Sequence, residues 1–142
     1  MKIAKEFRWE MGHRLPLHDG ACKNLHGHSY RLVVEVEGEI NPDTGMVIDF
    51  AEISAKVKPF LQELDHAFLC QEDDQEVREL LERMDLKRIY IPKPSTVENI
   101  CGMFVERLRP AFASETQVDA FTVRIWETAS SVAEITENVK GL

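Results

Sequence analysis

Two segments near the N-terminus alternate apolar and polar residues, and each carries histidine at one end of its apolar set. In the first segment Ile3, Phe7, Trp9, Met11 and His13 share one parity. In the second segment the same is true of His26, His28, Tyr30, Leu32, Val34 and Val36. Successive side chains of a β-strand point to opposite faces, so each set lies on one face of a strand. The sequence therefore predicts two half-buried strands with three of the five histidines at the ends of their apolar faces.

These three histidines predict a metal site. Three convergent neutral imidazoles are a good donor set for Zn²⁺. The alternative is that each histidine is an ordinary hydrogen-bonded core residue. Cys22 lies four residues before His26 and favours the metal interpretation. The cysteine itself can be inert, a fourth ligand that closes a structural zinc site, or a free thiol that moves protons at a metal-bound substrate.

Composition limits the class of protein. A chain of 142 residues with 44% hydrophobic and 30% charged residues predicts one globular domain over residues 1–142. The net charge of −8 argues against nucleic-acid and anionic-membrane partners, although it allows a local basic pocket. Cys22, Cys70 and Cys101 form no evident disulfide framework, and we find no signal peptide or membrane-spanning apolar run. We expect a cytoplasmic protein.

The first part of the chain predicts strands. The first strand ends near His13 and is followed by a loop over 14–25. The second strand covers about 28–37, and Asn-Pro-Asp inside 38–45 predicts a turn. Residues 46–48 can add a short strand.

A helix follows, beginning at Asp49, where Glu52 completes a capping-box pattern. Its apolar residues at helical spacing are Phe50, Ile53, Val57, Phe60 and Leu64. Pro59 predicts a kink. Residues 71–88 are highly charged, which predicts a solvated excursion with at most a short surface helix.

A second long helix is predicted from Ser95, with Glu98 completing its capping box and Pro110 ending it. Strands over 120–127 and 132–136 complete the chain. The order ββααββ predicts an α+β domain, with two helices on one face of an antiparallel sheet.

Glu127 has the parity of the apolar residues of its strand, which are Phe121, Val123 and Ile125. A carboxylate there must be paired, hydrogen-bonded or functional. It can accept two N–H groups from a flat, nitrogen-rich ligand. Alternatively, the strand frays and the carboxylate meets water. Asp65-His66 has two interpretations as well: a polar cap at a helix end, or an acid–base unit facing the metal.

Taken in order, the motifs of the chain resemble the 6-pyruvoyl-tetrahydropterin synthase family. They are Glu-Met-Gly-His-Arg-Leu at 10–15, Cys22-x3-His26-Gly-His28, Leu64-Asp65-His66, Pro-Ser-Thr-Val-Glu-Asn at 94–99, and Glu127-Thr128. The short Cys-x3-His spacing is similar to the branch that forms 6-carboxytetrahydropterin in the queuosine pathway. Residues 67–93 are longer and more charged than in compact members.

The resemblance implies a role for each motif. It implies zinc on His13, His26 and His28. It implies proton transfer by Cys22, Asp65 and His66. It implies a pterin pocket built from Glu127, Ser95, Thr96 and Glu98.

The implied reaction converts 7,8-dihydroneopterin triphosphate into 6-carboxy-5,6,7,8-tetrahydropterin, releasing acetaldehyde and triphosphate. The implied architecture is the tunnelling fold, whose subunits join their sheets into a barrel with pterin sites at subunit interfaces. A hexamer built as a dimer of trimers is the expected assembly. Two alternatives stay open: a 6-pyruvoyl product that keeps the whole side chain, and a non-catalytic structural zinc module held by one cysteine and three histidines.

Overall fold

One six-stranded sheet carries the fold, in a computed structural model that describes residues 1–141. In chain order the elements are β1 (Lys2–His13), β2 (His26–Gly38), α1 (Phe50–Leu64), β3 (Ala67–Gln71), α2 (Gln75–Arg83), β4 (Arg88–Ile91), α3 (Val97–Ala113), β5 (Val118–Thr128) and β6 (Ser131–Asn138). The strands lie in the spatial order β4-β3-β1-β2-β5-β6. The α+β class and the ββααββ order are confirmed, with a β3-α2-β4 unit inserted between the two long helices.

The antiparallel pairing of β1 with β2 sets the geometry of the whole molecule. The two strands pair along their full length, with Phe7 opposite Leu32 and His13 opposite His26. Because partners share a face, the apolar set of β1 and that of β2 form one continuous surface. The other surface carries charged and polar side chains. The alternation seen in the sequence is therefore the alternation between core and exterior.

Helices α1 and α3 bury the apolar surface. Trp9 stacks on its cross-strand partner Tyr30 with ring centroids 4.8 Å apart. Phe104 of α3 lies 5.5 Å from the Trp9 ring and 4.8 Å from Phe60 of α1. Phe104 is fully buried, and its truncation to alanine should cost about 3–5 kcal/mol. This aromatic contact holds both helices against the two strands that carry the histidines.

Several predicted boundaries differ from the structure. β2 begins at His26, two residues earlier than expected, and residues 46–48 form no strand. Val47 and Ile48 are nevertheless buried, because this irregular segment packs its side chains into the core before α1 begins. Phe50, expected on the buried stripe of α1, is half exposed.

Two predictions about α3 are wrong. The N-cap is Thr96, whose hydroxyl accepts the N–H of Asn99, and not Ser95. Pro110 lies inside the helix and does not end it. The last turn persists because Phe112 is fully buried and packs on Phe121 of β5, with ring centroids 4.9 Å apart.

The charged stretch at 71–88 is more ordered than a solvated excursion. β3 pairs parallel to β1 and β4 pairs parallel to β3, so the sheet is mixed and not purely antiparallel. Helix α2 connects the two short strands. A small separate core forms beneath it from Cys70, Val77 and Leu81. No helix among residues 1–141 is long and apolar enough to cross a membrane.

Candidate metal centre

The end of the β1–β2 ladder brings three histidines together. His13 faces His26 directly across the ladder, and His28 follows on the same face of β2. The ring centroids lie 4.6 Å apart for His13 and His26, 5.1 Å for His13 and His28, and 5.0 Å for His26 and His28. Period-two alternation and strand register therefore suffice to converge the three imidazoles.

His13 is the most buried member, with 1% of its surface exposed. Its Nδ1 lies 2.7 Å from the carbonyl oxygen of Ser95, which is an acceptor only, so Nδ1 carries the proton and donates it. The lone pair on Nε2 then points into the site. Burial is the largest cause that lowers the pKa of His13 to about 4, which keeps the ring neutral at neutral pH.

His26 is oriented in the same way. Its Nδ1 donates to the carbonyl oxygen of Asn24 at 2.7 Å. The Nε2 atoms of His13 and His26 are both buried and have no hydrogen-bond partner. A hydrogen bond from one ring nitrogen to a carbonyl, with the other nitrogen free, is the usual arrangement of a metal-binding histidine.

His28 completes the group. Burial lowers its pKa, against the opposing attraction of Glu127. One ring nitrogen from each of the three histidines lies within 4.8 Å of the others, close enough to hold a metal ion. Buried imidazole nitrogens without hydrogen-bond partners fit Zn²⁺, which favours nitrogen donors. The residues present therefore fit the implied metal.

Glu127 faces the same group from β5. One carboxylate oxygen lies 3.4 Å from the Nε2 of His13 and 3.4 Å from the Nε2 of His28. The pairing of β5 with β6 slips between Trp126 and Thr128, which leaves Glu127 as an extra residue in a bulge. Bulges re-aim side chains and often adjoin functional sites. The carboxylate is 24% exposed, so it can be reached from solvent.

Glu127 also borders an opening in the sheet. Arg31 and Trp126 are the last residue pair between β2 and β5, and the two strands separate beyond it. The gap is a cleft of about 540 Å³, and the residues lining it include His28, Ser29, Trp126, Glu127 and Thr128. We call it the edge cleft. It gives a small molecule access to the histidines.

Cys22 lies outside the histidine group. It sits in the 3-10 turn Ala21–Lys23, partly exposed, and its carbonyl accepts the N–H of Leu15. Among residues 1–141, the group that comes close enough to hold a metal contains the three histidines and no cysteine. The interpretation of Cys22 as a fourth ligand finds no support in this geometry.

Asp65 and His66 lie beside Glu10 of β1, where the N–H of His66 donates to the carbonyl of Glu10. One oxygen of Asp65 accepts the N–H of Glu10 at 2.9 Å and lies 3.0 Å from the Nδ1 of His66. The bond from Glu10 is the largest cause that lowers the pKa of Asp65. His66, at a φ of 59°, is 76% exposed and lines a cleft whose other lining residues include Glu10, Ser29 and the metal-site residue His28. Among residues 1–141, the group of side chains close enough to hold a metal includes neither Asp65 nor His66.

Of the residues proposed beside Glu127, none lines the edge cleft. Ser95 is fully buried and holds His13 through its carbonyl, while its hydroxyl donates to the carbonyl of Arg14. Thr96 caps α3 and Glu98 is exposed. The orienting role of Ser95 escaped the sequence analysis, because no local pattern links the end of β1 to a residue 82 positions away.

Comparison with known proteins matches this geometry to one family. The family model described as 6-pyruvoyl tetrahydropterin synthase matches residues 2–138. A relative from Haemophilus influenzae, named 6-carboxy-5,6,7,8-tetrahydropterin synthase, is 36% identical over 96% of this chain and 99% of its own length. A relative from Pyrococcus horikoshii, putatively given the same name, is 37% identical over 93% of this chain and 86% of its own.

Solved structures agree with the fold. An uncharacterised protein of Wolinella succinogenes superposes with a TM-score of 0.79 at 26% identity, covering 95% of this chain and 97% of that one. The 6-pyruvoyltetrahydropterin synthase of Plasmodium vivax superposes with a TM-score of 0.74 at 22% identity, covering 97% and 98%. The predicted tunnelling fold is confirmed. The chain belongs to the 6-pyruvoyl tetrahydropterin synthase family.

Proposed function

We propose that this chain is a zinc-dependent enzyme of queuosine biosynthesis. It converts 7,8-dihydroneopterin triphosphate and one water into 6-carboxy-5,6,7,8-tetrahydropterin, acetaldehyde and triphosphate, and is thus a carbon–carbon lyase. The observation that carries the proposal is the pair of buried, partnerless Nε2 atoms on His13 and His26, each on a ring fixed by a backbone carbonyl. Relatives named for the 6-carboxy product support the choice of reaction.

His13, His26 and His28 are the residues that would hold the zinc. Three protein ligands leave a coordination position free, which is typical of catalytic rather than structural zinc. When bound there, zinc supplies Lewis-acid stabilisation of negative charge on oxygens of the substrate side chain. The neutral state of His13 and His28, favoured by burial, keeps their lone pairs available near neutral pH.

Glu127 binds the pterin in this proposal. Its carboxylate can accept two parallel N–H groups from the 2-aminopyrimidinone edge of the ring. The 3.4 Å contacts to His13 and His28 support a position where the pterin side chain meets the metal ligands. The edge cleft gives the ring a route to this carboxylate.

Cys22, Asp65 and His66 move the protons. The reaction relocates hydrogen between adjacent side-chain carbons, which needs groups that both accept and donate. Asp65 accepts from the Nδ1–H of His66 and so leaves Nε2 as the working atom of the imidazole. Cys22 is a partly exposed free thiol.

The position of His66 favours an assembly. Because His66 is 76% exposed and lies outside the group of side chains that could hold the metal, the proposal needs a second chain to enclose it at the site. A homo-oligomer with pterin sites between subunits, a dimer of trimers by similarity to the family, meets that need. We also propose a cytoplasmic location, which suits three free cysteines.

A 6-pyruvoyl product is the second candidate, because the matching family model bears that name. The short Cys-x3-His spacing favours the 6-carboxy product. A non-catalytic zinc module with one cysteine and three histidine ligands is disfavoured, since Cys22 lies outside the metal-holding group.

Incubation of the zinc-loaded protein with 7,8-dihydroneopterin triphosphate tests the proposal. We expect a 6-carboxy pterin by mass and one acetaldehyde for each triphosphate released. A pyruvoyl pterin without acetaldehyde would select the second candidate. No turnover by the wild type, with zinc bound and the oligomer intact, would reject both enzymes. A His28→Ala protein is the matched control.

A further inference from the structure

Two arginines face each other directly across β1 and β2 on the exterior face. Arg8 and Arg31 are cross-strand partners in the ladder. Like charges at directly opposed positions destabilise a sheet, so the pair calls for an explanation. Both arginines line the edge cleft that leads to His28 and Glu127. Two cations therefore stand at the entrance to the candidate metal centre.

The guanidinium of Arg31 is held in a fixed place. It lies over the ring of Trp126, 3.8 Å from the centroid, and its Nε is 3.7 Å from an oxygen of Glu6. The same oxygen of Glu6 accepts the Nη2 of Arg8 at 3.0 Å. These contacts leave Nη groups of both arginines without a partner. Stacking on an aromatic ring suits a guanidinium that binds phosphate, because its edge stays free.

The charge balance of the cleft points to an anion. The whole chain has a net charge of −8, so an anionic ligand needs a local cluster of cations. The cleft supplies two cations, Arg8 and Arg31, whose charge the single carboxylate of Glu6 offsets only in part, and Glu127 is set back against the histidines. Its volume of about 540 Å³ suits a ligand larger than a single inorganic ion.

We propose that Arg8 and Arg31, with Trp126 as the support of Arg31, bind the oligophosphate end of the substrate. The pterin edge then lies at Glu127, the side chain at the histidines, and the phosphates at the mouth of the cleft. This inference deepens the proposed function and rests on it for the identity of the complete substrate. The anion site itself is testable without turnover.

Titration of inorganic tripolyphosphate into the purified protein, by calorimetry, is the direct test, with zinc content measured before and after. We expect wild-type binding that weakens by about tenfold or more in Arg31→Gln and in Arg8→Gln, because charged hydrogen bonds are lost. The matched control is Arg124→Gln. Arg124 lies on β5 two residues before Trp126, pairs with Glu134, and does not line the cleft. The Arg124→Gln substitution removes the same charge, and it should change the affinity for tripolyphosphate by less than about twofold.

Thermal unfolding separates a binding role from a structural one. Removing one of two opposed cations relieves their repulsion but also removes a contact with Glu6 or Trp126, so the midpoints of Arg8→Gln and Arg31→Gln should change little. Weaker binding with little change in the midpoint supports the proposal. Equal losses of affinity in all three variants, or no binding by the wild type, would overturn it. A lower midpoint in both cleft variants with affinity retained would assign the pair a structural role and also overturn it.

Pterin ligands separate this inference from the reaction. Neopterin triphosphate should bind more weakly to Arg31→Gln, whereas neopterin, which lacks phosphate, should bind equally to variant and wild type. If the protein turns over 7,8-dihydroneopterin triphosphate while both variants keep the wild-type KM and tripolyphosphate affinity, the anion site is rejected and the reaction stands. If tripolyphosphate binds through the two arginines without any turnover, the anion site stands and the reaction is rejected.

Discussion

The two faces of the β1–β2 ladder use the same backbone for opposite purposes. On the core face, His13 and His26 are paired across the strands, buried at their Nε2 atoms, and fixed by backbone carbonyls. On the exterior face, Arg8 faces Arg31 and both side chains reach solvent. Burial sets the chemistry of the first face, since it keeps His13 neutral, while backbone carbonyls orient both rings. Exposure leaves the second face dependent on a ligand or a second chain to complete its contacts.

Removal of a core-face ligand should have the largest effect. His28→Ala should lose most of its zinc and all turnover, because two imidazoles and water hold the metal poorly. Metal analysis beside the activity assay measures both. Ser29→Ala changes the next residue of β2 on the opposite face and should keep its zinc. Full zinc occupancy in the His28→Ala protein would show that His28 is not a zinc ligand.

Substitution of Cys22 tests whether a residue outside the histidine group contributes to turnover without contributing to zinc binding. Cys22→Ala should keep zinc and the thermal midpoint, while turnover falls by about 10²–10⁴-fold, as expected for loss of a proton-transfer group. Single-turnover kinetics and metal content decide the matter. Loss of zinc from this variant would instead indicate a thiolate ligand.

Acid should lower the free energy of unfolding of the metal-free protein through protonation of His13. The pKa of His13 is about 4 in the folded chain and 6.5 without burial. Between pH 4 and pH 6.5, the unfolded chain therefore binds a proton at His13, whereas the folded chain does not. The stability that neutral His13 contributes is complete above pH 6.5 and falls by about 3 kcal/mol as the pH drops to 4.

Denaturant unfolding of chelator-treated protein at a series of pH values measures this loss. His13→Gln, which does not titrate, is the control and should show a flatter profile. Identical pH profiles for wild type and variant would contradict the burial of a neutral imidazole at this position.

Glu127 connects the two faces through the edge cleft. Glu127→Gln replaces one acceptor oxygen with an NH₂ donor that opposes the donors of the pterin. Affinity for neopterin should fall by about 2 kcal/mol, while zinc content is unchanged. The thermal midpoint should hold or rise, since a charge beside the buried His13 and the partly buried His28 is removed. Unchanged affinity would mean that the pterin edge binds elsewhere.

The smallest effect is expected at Ser95. Ser95→Ala removes the hydroxyl but keeps the carbonyl that accepts the Nδ1–H of His13. Stability should fall by about 1 kcal/mol, because the carbonyl of Arg14 loses its donor, and zinc affinity should change less than about tenfold. A calorimetric zinc titration checks this. A loss of zinc as large as in His28→Ala would mean that the hydroxyl, and not the carbonyl, orients the ring.

Local patterns predicted much of the fold. Alternation identified β1, β2, β5 and β6, and helical spacing identified α1 and α3. The same reasoning failed at Pro110, where burial of Phe112 outweighs the missing backbone donor. It failed again at residues 71–88. Two buried apolar residues, Val77 and Leu81, are too few to show a helical period, but both pack on Cys70 in the folded chain. Short elements with a small core depend on partners that local sequence does not reveal.

The sequence alone determined which side chains share a face, because the period of a strand is a property of consecutive residues. That was enough to bring His13, His26 and His28 to one surface, given an antiparallel pairing. Only the tertiary structure decided what surrounds them: the carbonyl of Ser95 on His13, the 3.4 Å contacts of Glu127 with His13 and His28, and the exposed cleft that His66 lines. Those contacts join segments far apart in the chain, and their geometry depends on strand register and helix docking, which follow from the packing of the whole core.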